Sequence, residues 1–305
     1  MFTESAKMED FQREFHLFST IFTLVMNRCI FLLLFISLFS ACKQDGQVIV
    51  PSRNPFEVMP IKLKQNVLLE SFSEESQSTT VTNSELIDQL KAKYAGRLIS
   101  ANFHRNDFLA TSYADFLAAK LGGLVFNSKG CVHRKVGSNT IGGTEDNLLL
   151  LSPVNWDYAI EKIVNQDIAP LSISLETTTD ANGKGLVNIY IAHKESITSD
   201  TRLVVYLLED NIQPIFQVGA PTDYLHQNVF KNVLTSYDGD AIDLSKSSSK
   251  GEIIKRSLSG INLADYNAQN LKVIAFIYSY STDSRKIKVI NVQEVNFFGV
   301  HYWDV

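Results

Sequence analysis

The chain is poor in cysteine: three residues in 305, at positions 29, 42 and 131. Only Cys131 lies in the long stretch beyond residue 42, so that stretch can close no intrachain disulfide and must be stabilised by core burial. There is no Cys-x-x-Cys, no His-x-x-x-His and no Asp/Glu-rich loop, which removes the usual ligand spacings for a metal. No Gly-x-Ser-x-Gly occurs. Basic residues form no long run and the formal net charge is −5, so the electrostatic footprint of a nucleic-acid binder is missing. The apolar run Cys29–Phe39 falls short of the about 20 residues that span a bilayer. Hydrophobic and charged fractions of 45% and 20% are those of a globular protein.

What is present begins with that short run. Met26-Asn27-Arg28 supplies a basic tip, Cys29–Phe39 an apolar core, and Ser40-Ala41 small residues before Cys42, the three parts of an export signal. With Leu38, Ser40 and Ala41 ahead of Cys42 the site resembles a bacterial lipobox, which implies diacylation of Cys42 and cleavage before it. Phe39 is bulkier than the usual residue three places before the cysteine. A plain signal anchor and a buried helix are the alternatives. Glu4, Glu9, Asp10 and Glu14 put acidic charge where export signals are basic, so Met26 is the expected start. Residues 1–41 are read as an upstream extension plus signal peptide. The Pro51, Pro55 and Pro60 of segment 42–61 make it an extended tether to the first folded element. Lys43 and Asp45 leave the membrane leaflet open.

From residue 62 to 168 strands and helices alternate. Asn66–Phe72 predicts a strand. Asn83 or Ser84 is the expected cap of a helix using Leu86, Ile87, Leu90 and Tyr94, stopped by Gly96. Leu98–His104 predicts a strand, Ser112–Leu121 a helix, Leu124–Phe126 with Cys131–Val136 a hairpin, and Asn155–Asn165 an amphipathic helix. The order β-α-β-α-β-β-α is that of a thioredoxin-like domain. Past Pro170 the period becomes two: Leu171–Leu175 and Val187–Ile191 flank an Asn182-Gly183 turn. Arg202–Leu208, Ile212–Val218, Ile253–Leu258, Leu271–Tyr280 and Lys286–Val292 follow as strands, with one helix candidate at Leu225–Leu234. That pattern predicts a β-sandwich over 169–305.

The segments Val204–Gln213, Tyr224–Phe230, Asn270–Ile277 and Ile290–Val292 resemble consecutive motifs of the Omp-twenty-eight-related outer-membrane lipoprotein family of Bacteroidetes. The resemblance runs from about Lys64 to the end. It implies a thioredoxin-like domain followed by an immunoglobulin-like sandwich, and it supplies no settled activity. Val67–Ser73 is similar to the start of the family's "vLxExFTGxxCxxCP" segment, but its two redox cysteines fall at Gln77 and Thr80. Ser128–Arg134 resembles the later "P-s-g-x-v-N-R" loop, with Ser128 in place of the proline that faces the dithiol. Both halves of a redox site are therefore missing together, and disulfide exchange needs two thiols.

Each remaining candidate has an ordinary reading beside it. Cys131 is a lone reactive thiol or a small buried hydrophobe. His104 and His133 either gather with Cys131 or are separate strand-end histidines. Gly137–Thr144 has phosphate-cradle glycines without the Gly-Lys-Ser/Thr ending and reads as a turn. Glu209-Asp210 is read as a solvated strand-ending turn rather than an acid–base or calcium site. Phe297, Phe298, Tyr302 and Trp303 form either a stacking platform or a final core strand. The leading expectation is a non-enzymatic, cofactor-free, lipid-anchored outer-membrane protein that binds a protein or surface-complex partner. The alternatives are a thiol enzyme using Cys131 and a structural accessory of a surface complex.

Overall fold

The structure, a computed structural model, describes residues 54–303 except 59, 61, 123–127, 139, 167 and 246–252. Expectations for residues 1–53, including Cys42, and for Leu124–Phe126 lie outside the described residues. β1 (Val67–Ser73), α1 (Thr79–Lys93), β2 (Leu98–His104), α2 (Ser112–Leu121), β3 (Gly130–Val132), β4 (Leu150–Leu151) and α3 (Trp156–Val164) make up the first half. The strands lie in the order β2-β1-β3-β4, with β1 and β2 parallel and β3 antiparallel to β1. This is a thioredoxin-like arrangement. Gly130 is required at the head of β3, because a Cβ there would stand 2.9 Å from the Leu69 and Trp156 side chains.

The second half is all β: β5 (Leu171–Thr179), β6 (Gly185–His193), β7 (Thr201–Glu209), β8 (Val229–Val233), β9 (Asp240–Ile242), β10 (Ile253–Ile261), β11 (Leu271–Ser279), β12 (Lys288–Asn296) and β13 (Val300–His301). The sheet β10-β6-β5-β13 packs on β12-β11-β7 across a core including Ile173, Ile189, Leu207 and Val273. Alternation of apolar and polar residues made β5 and β6 readable, whereas β7 and β11 are continuous apolar runs because they bury both faces: Leu203, Val205 and Leu207 in this core and Val204, Tyr206 and Leu208 in the core shared with the first half. The Asn182-Gly183 turn is formed, with Gly183 at φ 72° and the Asp180 side chain accepting from the Asn182 and Lys184 amides.

Pro170 marks a change of pattern, not a break between bodies. Asn102 of β2 pairs with Val229 of β8, so one nine-stranded sheet runs from β12 to β4 through both halves, and residues 53–305 form one compact unit. β12 also returns to the head of β1. Gln65 Nε2 donates to the Ile290 carbonyl at 3.1 Å, and Asn66 N to Asn291 Oδ1 at 3.0 Å. The shared core holds Leu68, Phe103, Tyr113, Tyr206 and Phe276.

Four local expectations are corrected. α1 begins at Thr79, ahead of Asn83 and Ser84, because Thr80 Oγ1 donates to the Glu74 carbonyl at 2.7 Å and anchors the first turn. Ile212–Val218 is no strand: Ile212 makes an isolated β-bridge to His226, and the amides of Ile215 and Val218 serve the Glu75 loop, with Val218 N donating to Glu75 O at 2.9 Å. Leu225–Leu234 is not helical; Asn228 at φ 55° turns the chain into β8. The tether is not free throughout, since from Asn54 it docks on the body and Phe56 is buried.

Candidate functional site

The positions of the absent dithiol do come together. Gln77 precedes α1, Thr79 and Thr80 form its first turn, and Ser128 faces them from the segment leading into β3. Thr79 Oγ1 and Ser128 Oγ share a hydrogen bond at 2.9 Å, and Asn83 Nδ2 donates to the Ser128 carbonyl at 3.3 Å. Thr80 is buried against the Glu74 backbone and turned away. Beside this set opens a groove of about 480 Å³, lined by Gln77, Ser78, Thr79, Ser128, Lys129 and Val218 among others. Hydroxyls and amides of this kind can hold a ligand by hydrogen bonds and offer no nucleophilic sulfur.

The far wall is fixed by Glu145, which sequence reasoning did not single out. Its carboxylate accepts from Lys129 Nζ at 2.9 Å, Ser152 N at 2.8 Å, Ser152 Oγ at 2.7 Å and Asn155 Nδ2 at 2.8 Å. Burial disfavours the charge, but these donors outweigh it and hold the pKa down to about 2. Glu145 follows the glycine-rich segment, which is a turn with Gly142 and Gly143 at positive φ, stitched by Ile141 N to Asn155 Oδ1 at 2.8 Å.

The near wall comes from the long connection between β7 and β8. Gln217 Nε2 donates to the Gln77 carbonyl at 2.9 Å, and Ile215 N to Glu75 Oε1 at 3.1 Å. That backbone is therefore fixed while Ile215 and Phe216 remain 74% and 70% exposed. Beneath it lies a buried cluster. His104 Nδ1 is 2.8 Å from Asp107 Oδ2, which also accepts from Glu75 N at 3.0 Å. The His104 and His226 rings meet edge to face at 4.5 Å. His226 Nε2 stands 3.4 Å from Glu75 Oε1 without a hydrogen bond, and its Nδ1 has no partner. Burial pushes His226 down to about 4 and Glu75 upward.

Cys131, His104 and His133 are not gathered into one site. Cys131 is fully buried in the shared core opposite Glu70, where burial pushes its thiol well up. His133, φ 58°, sits against the β1–β12 seam with Nε2 3.5 Å from Gln65 Nε2, and burial lowers it to about 3. His104 belongs to the cluster under the loop.

The most elaborate buried network was also missed as a site. Arg134 Nη2 donates to Glu70 Oε1 and to Tyr206 Oη, both at 2.8 Å, Nε reaches Glu70 Oε2 at 3.0 Å, and Tyr206 Oη donates to Glu70 Oε1 at 2.8 Å. The guanidinium lies 4.8 Å and 4.9 Å from the Phe276 and Tyr278 ring centres. Burial opposes its charge, but Glu70 more than compensates and raises the pKa. A charged residue inside the apolar run Val67–Phe72 was the available signal.

Glu209 and Asp210 act as braces: Lys272 Nζ is 2.6 Å from Asp210 Oδ2, and Asn267 N donates to Glu209 Oε1 at 2.9 Å. The terminal aromatics divide. Phe297 is core, Phe298 is exposed, and Tyr302 and Trp303 hold the tether. Among the described residues no group of three or more His, Cys, Asp or Glu is placed to hold a metal, and no helix is long and apolar enough to cross a membrane.

Among solved structures the chain is similar to HBP35 of Porphyromonas gingivalis, with a TM-score of 0.64 and 22% identity over 77% of this chain and 76% of that one. It is also similar to a structural-genomics target from Agrobacterium tumefaciens, with a TM-score of 0.50 and 8% identity over 76% of this chain and 94% of that one. At these identities the likeness concerns the fold. No curated protein matches the chain significantly. The family model described as outer membrane protein Omp28 matches residues 144–298, just over half of the sequence. On that match the chain belongs to the Omp28 family of outer membrane proteins, and the outer membrane of the cell envelope is its place.

Proposed function

We propose that this is a lipid-anchored outer-membrane protein, carried on a diacylated Cys42, that acts by binding a protein partner of a surface complex and not by catalysis. The groove between Gln77, Thr79 and Ser128 is the binding site, and its hydroxyl and amide lining is the observation that carries the reading. Thiol–disulfide exchange requires a thiolate attacker and a resolving thiol. The groove has neither, and the burial of Cys131 supports a packing role for that sulfur. The β half is taken as immunoglobulin-like, and the reading needs no cofactor and no nucleic acid.

The experiment replaces Gln77 with a photo-crosslinking amino acid in cells and compares it with the same probe at Thr178, an exposed position on β5. A discrete partner crosslinked from position 77 and absent from 178 supports the groove. The same adducts from both sites, or none from 77, reject it. For the chemistry, the purified protein should not accelerate reduction of insulin by dithiothreitol. A rate above buffer that is lost in Cys131→Ala would make it a thiol enzyme.

A further inference from the structure

The tether is held on the folded body by an aromatic clamp. Phe56 stacks on Tyr190 of β6 with ring centres 4.2 Å apart and planes 6° apart, and leans on Tyr302 at 5.1 Å. Trp303 Nε1 donates to the Pro55 carbonyl at 3.0 Å, and the Asn54 side chain accepts from Phe56 N at 3.2 Å. Lys255 of β10 stands 5.2 Å above the Tyr190 ring. These groups lie on the outward face of the four-stranded sheet, opposite the face that carries Ile189, Ile191 and Ile254 into the core.

We propose that this outward face is the surface that rests on the lipid headgroups. The inference depends on anchoring at Cys42. Twelve peptide steps separate Cys42 from Asn54, a reach of at most about 40 Å. A body of this size is about 45 Å across, from the usual scaling of radius with length. The clamp is therefore the first part of the described body reached along the chain from Cys42. From the clamp the chain passes through Lys64, bridged to Ile168, into the head of β1, and the groove opens beyond the far end of that strand, at Ser76 and Gln77. The seven residues of β1 measure about 20 Å along the strand axis. The side-chain types at the clamp agree. Tyr302 is half exposed, Trp303 is partly exposed and Lys255 is exposed. Tyrosine, tryptophan and lysine each join an apolar body to a polar tip and favour the headgroup level of a membrane.

The test uses the mature chain from Cys42, coupled through that thiol to a maleimide-bearing lipid in phosphatidylcholine vesicles; buried Cys131 does not compete. The chain has two tryptophans, and Trp156 is fully buried in the body. Phosphatidylcholine with brominated acyl chains should quench emission of the anchored protein, and Trp303→Phe should abolish that quenching. In Trp303→Phe/Phe216→Trp, the new tryptophan on the groove loop should keep its emission. Unquenched Trp303, or quenching at position 216 equal to that at 303, overturns the orientation. Circular dichroism identifies a variant that has failed to fold, and the unsubstituted protein still reports on Trp303 against Trp156. Chemical coupling separates the two readings. If Cys42 takes up no palmitate in cells, the lipid anchor fails, while the vesicle result still decides which face meets a bilayer.

Discussion

Glu70 with Arg134, and Glu75 with His104, Asp107 and His226, are two buried ionisable groups within a few residues of each other on the same chain segment. The first is closed. Both carboxylate oxygens face donors of the guanidinium, Tyr206 and Tyr113 extend the network at 3.1 Å, and two aromatic rings flank the cation. The second is open, since both ring nitrogens of His226 lack partners, and Gln217 Oε1 in the loop is also unsatisfied. The closed network ties β1, the turn after β3 and β7 together, and so fixes the two halves of the molecule as one body. The open one lies under the loop that walls the groove. Satisfaction makes a buried polar group rigid, whereas missing partners leave it responsive to protons.

The largest effect expected is at the closed network. Arg134→Met should cost about 3–5 kcal/mol by leaving the Glu70 carboxylate buried without its partner. Urea unfolding measures it, and Glu70→Gln/Arg134→Met should recover part of the loss. A cost under about 1 kcal/mol would show that the pair does not hold the halves together.

Next comes acid sensitivity. His226 at about 4 and His133 at about 3 bind protons less readily in the folded chain than at the ordinary histidine value of 6.5. Below 6.5 the unfolded chain takes up protons that the folded chain refuses, so stability falls with pH from there down through the folded values. At pH 5 each histidine should account for about 2 kcal/mol of loss. Glu75, held above 4.5, works in the opposite sense, favouring the folded state as it protonates. His226→Gln should flatten the melting-temperature profile between pH 7 and 5, and an unchanged slope would assign the sensitivity elsewhere.

Asp107→Ala sharpens the comparison from the open side. It removes the acceptor for Glu75 N, and for Leu109 N at 2.9 Å, and should cost about 1–3 kcal/mol. The smallest effect belongs to the groove. Ser128→Ala should change stability by no more than about 0.5 kcal/mol in urea, because the Thr79–Ser128 contact is exposed. A larger cost would make that contact part of the framework.

Much of this was readable in advance because the signal was local. β2 at Leu98–His104 and α2 at Ser112–Leu121 have the bounds that their apolar spacing predicts, α2 with its Thr111 cap and Gly122 stop. Segments organised by distant partners were misread. Leu225–Leu234 has helix-like apolar spacing, but β7 and β2 claim its backbone from either side. Ile212–Val218 has strand-like residues, but beyond the Ile212 bridge to His226 the Glu75 loop takes the amides of Ile215 and Val218. At the site, Gln77, Thr80 and Ser128 were found through motif positions. Glu145 carries no motif, and only folding brings Lys129, Ser152 and Asn155 to it.

The sequence by itself determined that no dithiol remains, that strand–helix alternation gives way to period two near Pro170, and the bounds of locally patterned elements such as β2 and α2. Those properties follow from residue identity and short-range spacing. Tertiary structure decided that the two patterns share a sheet, that Arg134 finds Glu70 and Tyr206, that Cys131 is sealed away from both histidines, and that Phe56 is clamped by Tyr190 and Tyr302. The shared sheet, the Arg134 network and the Phe56 clamp each join residues tens to hundreds of positions apart. Such contacts are chosen by which faces can be buried together, and no local spacing records that choice.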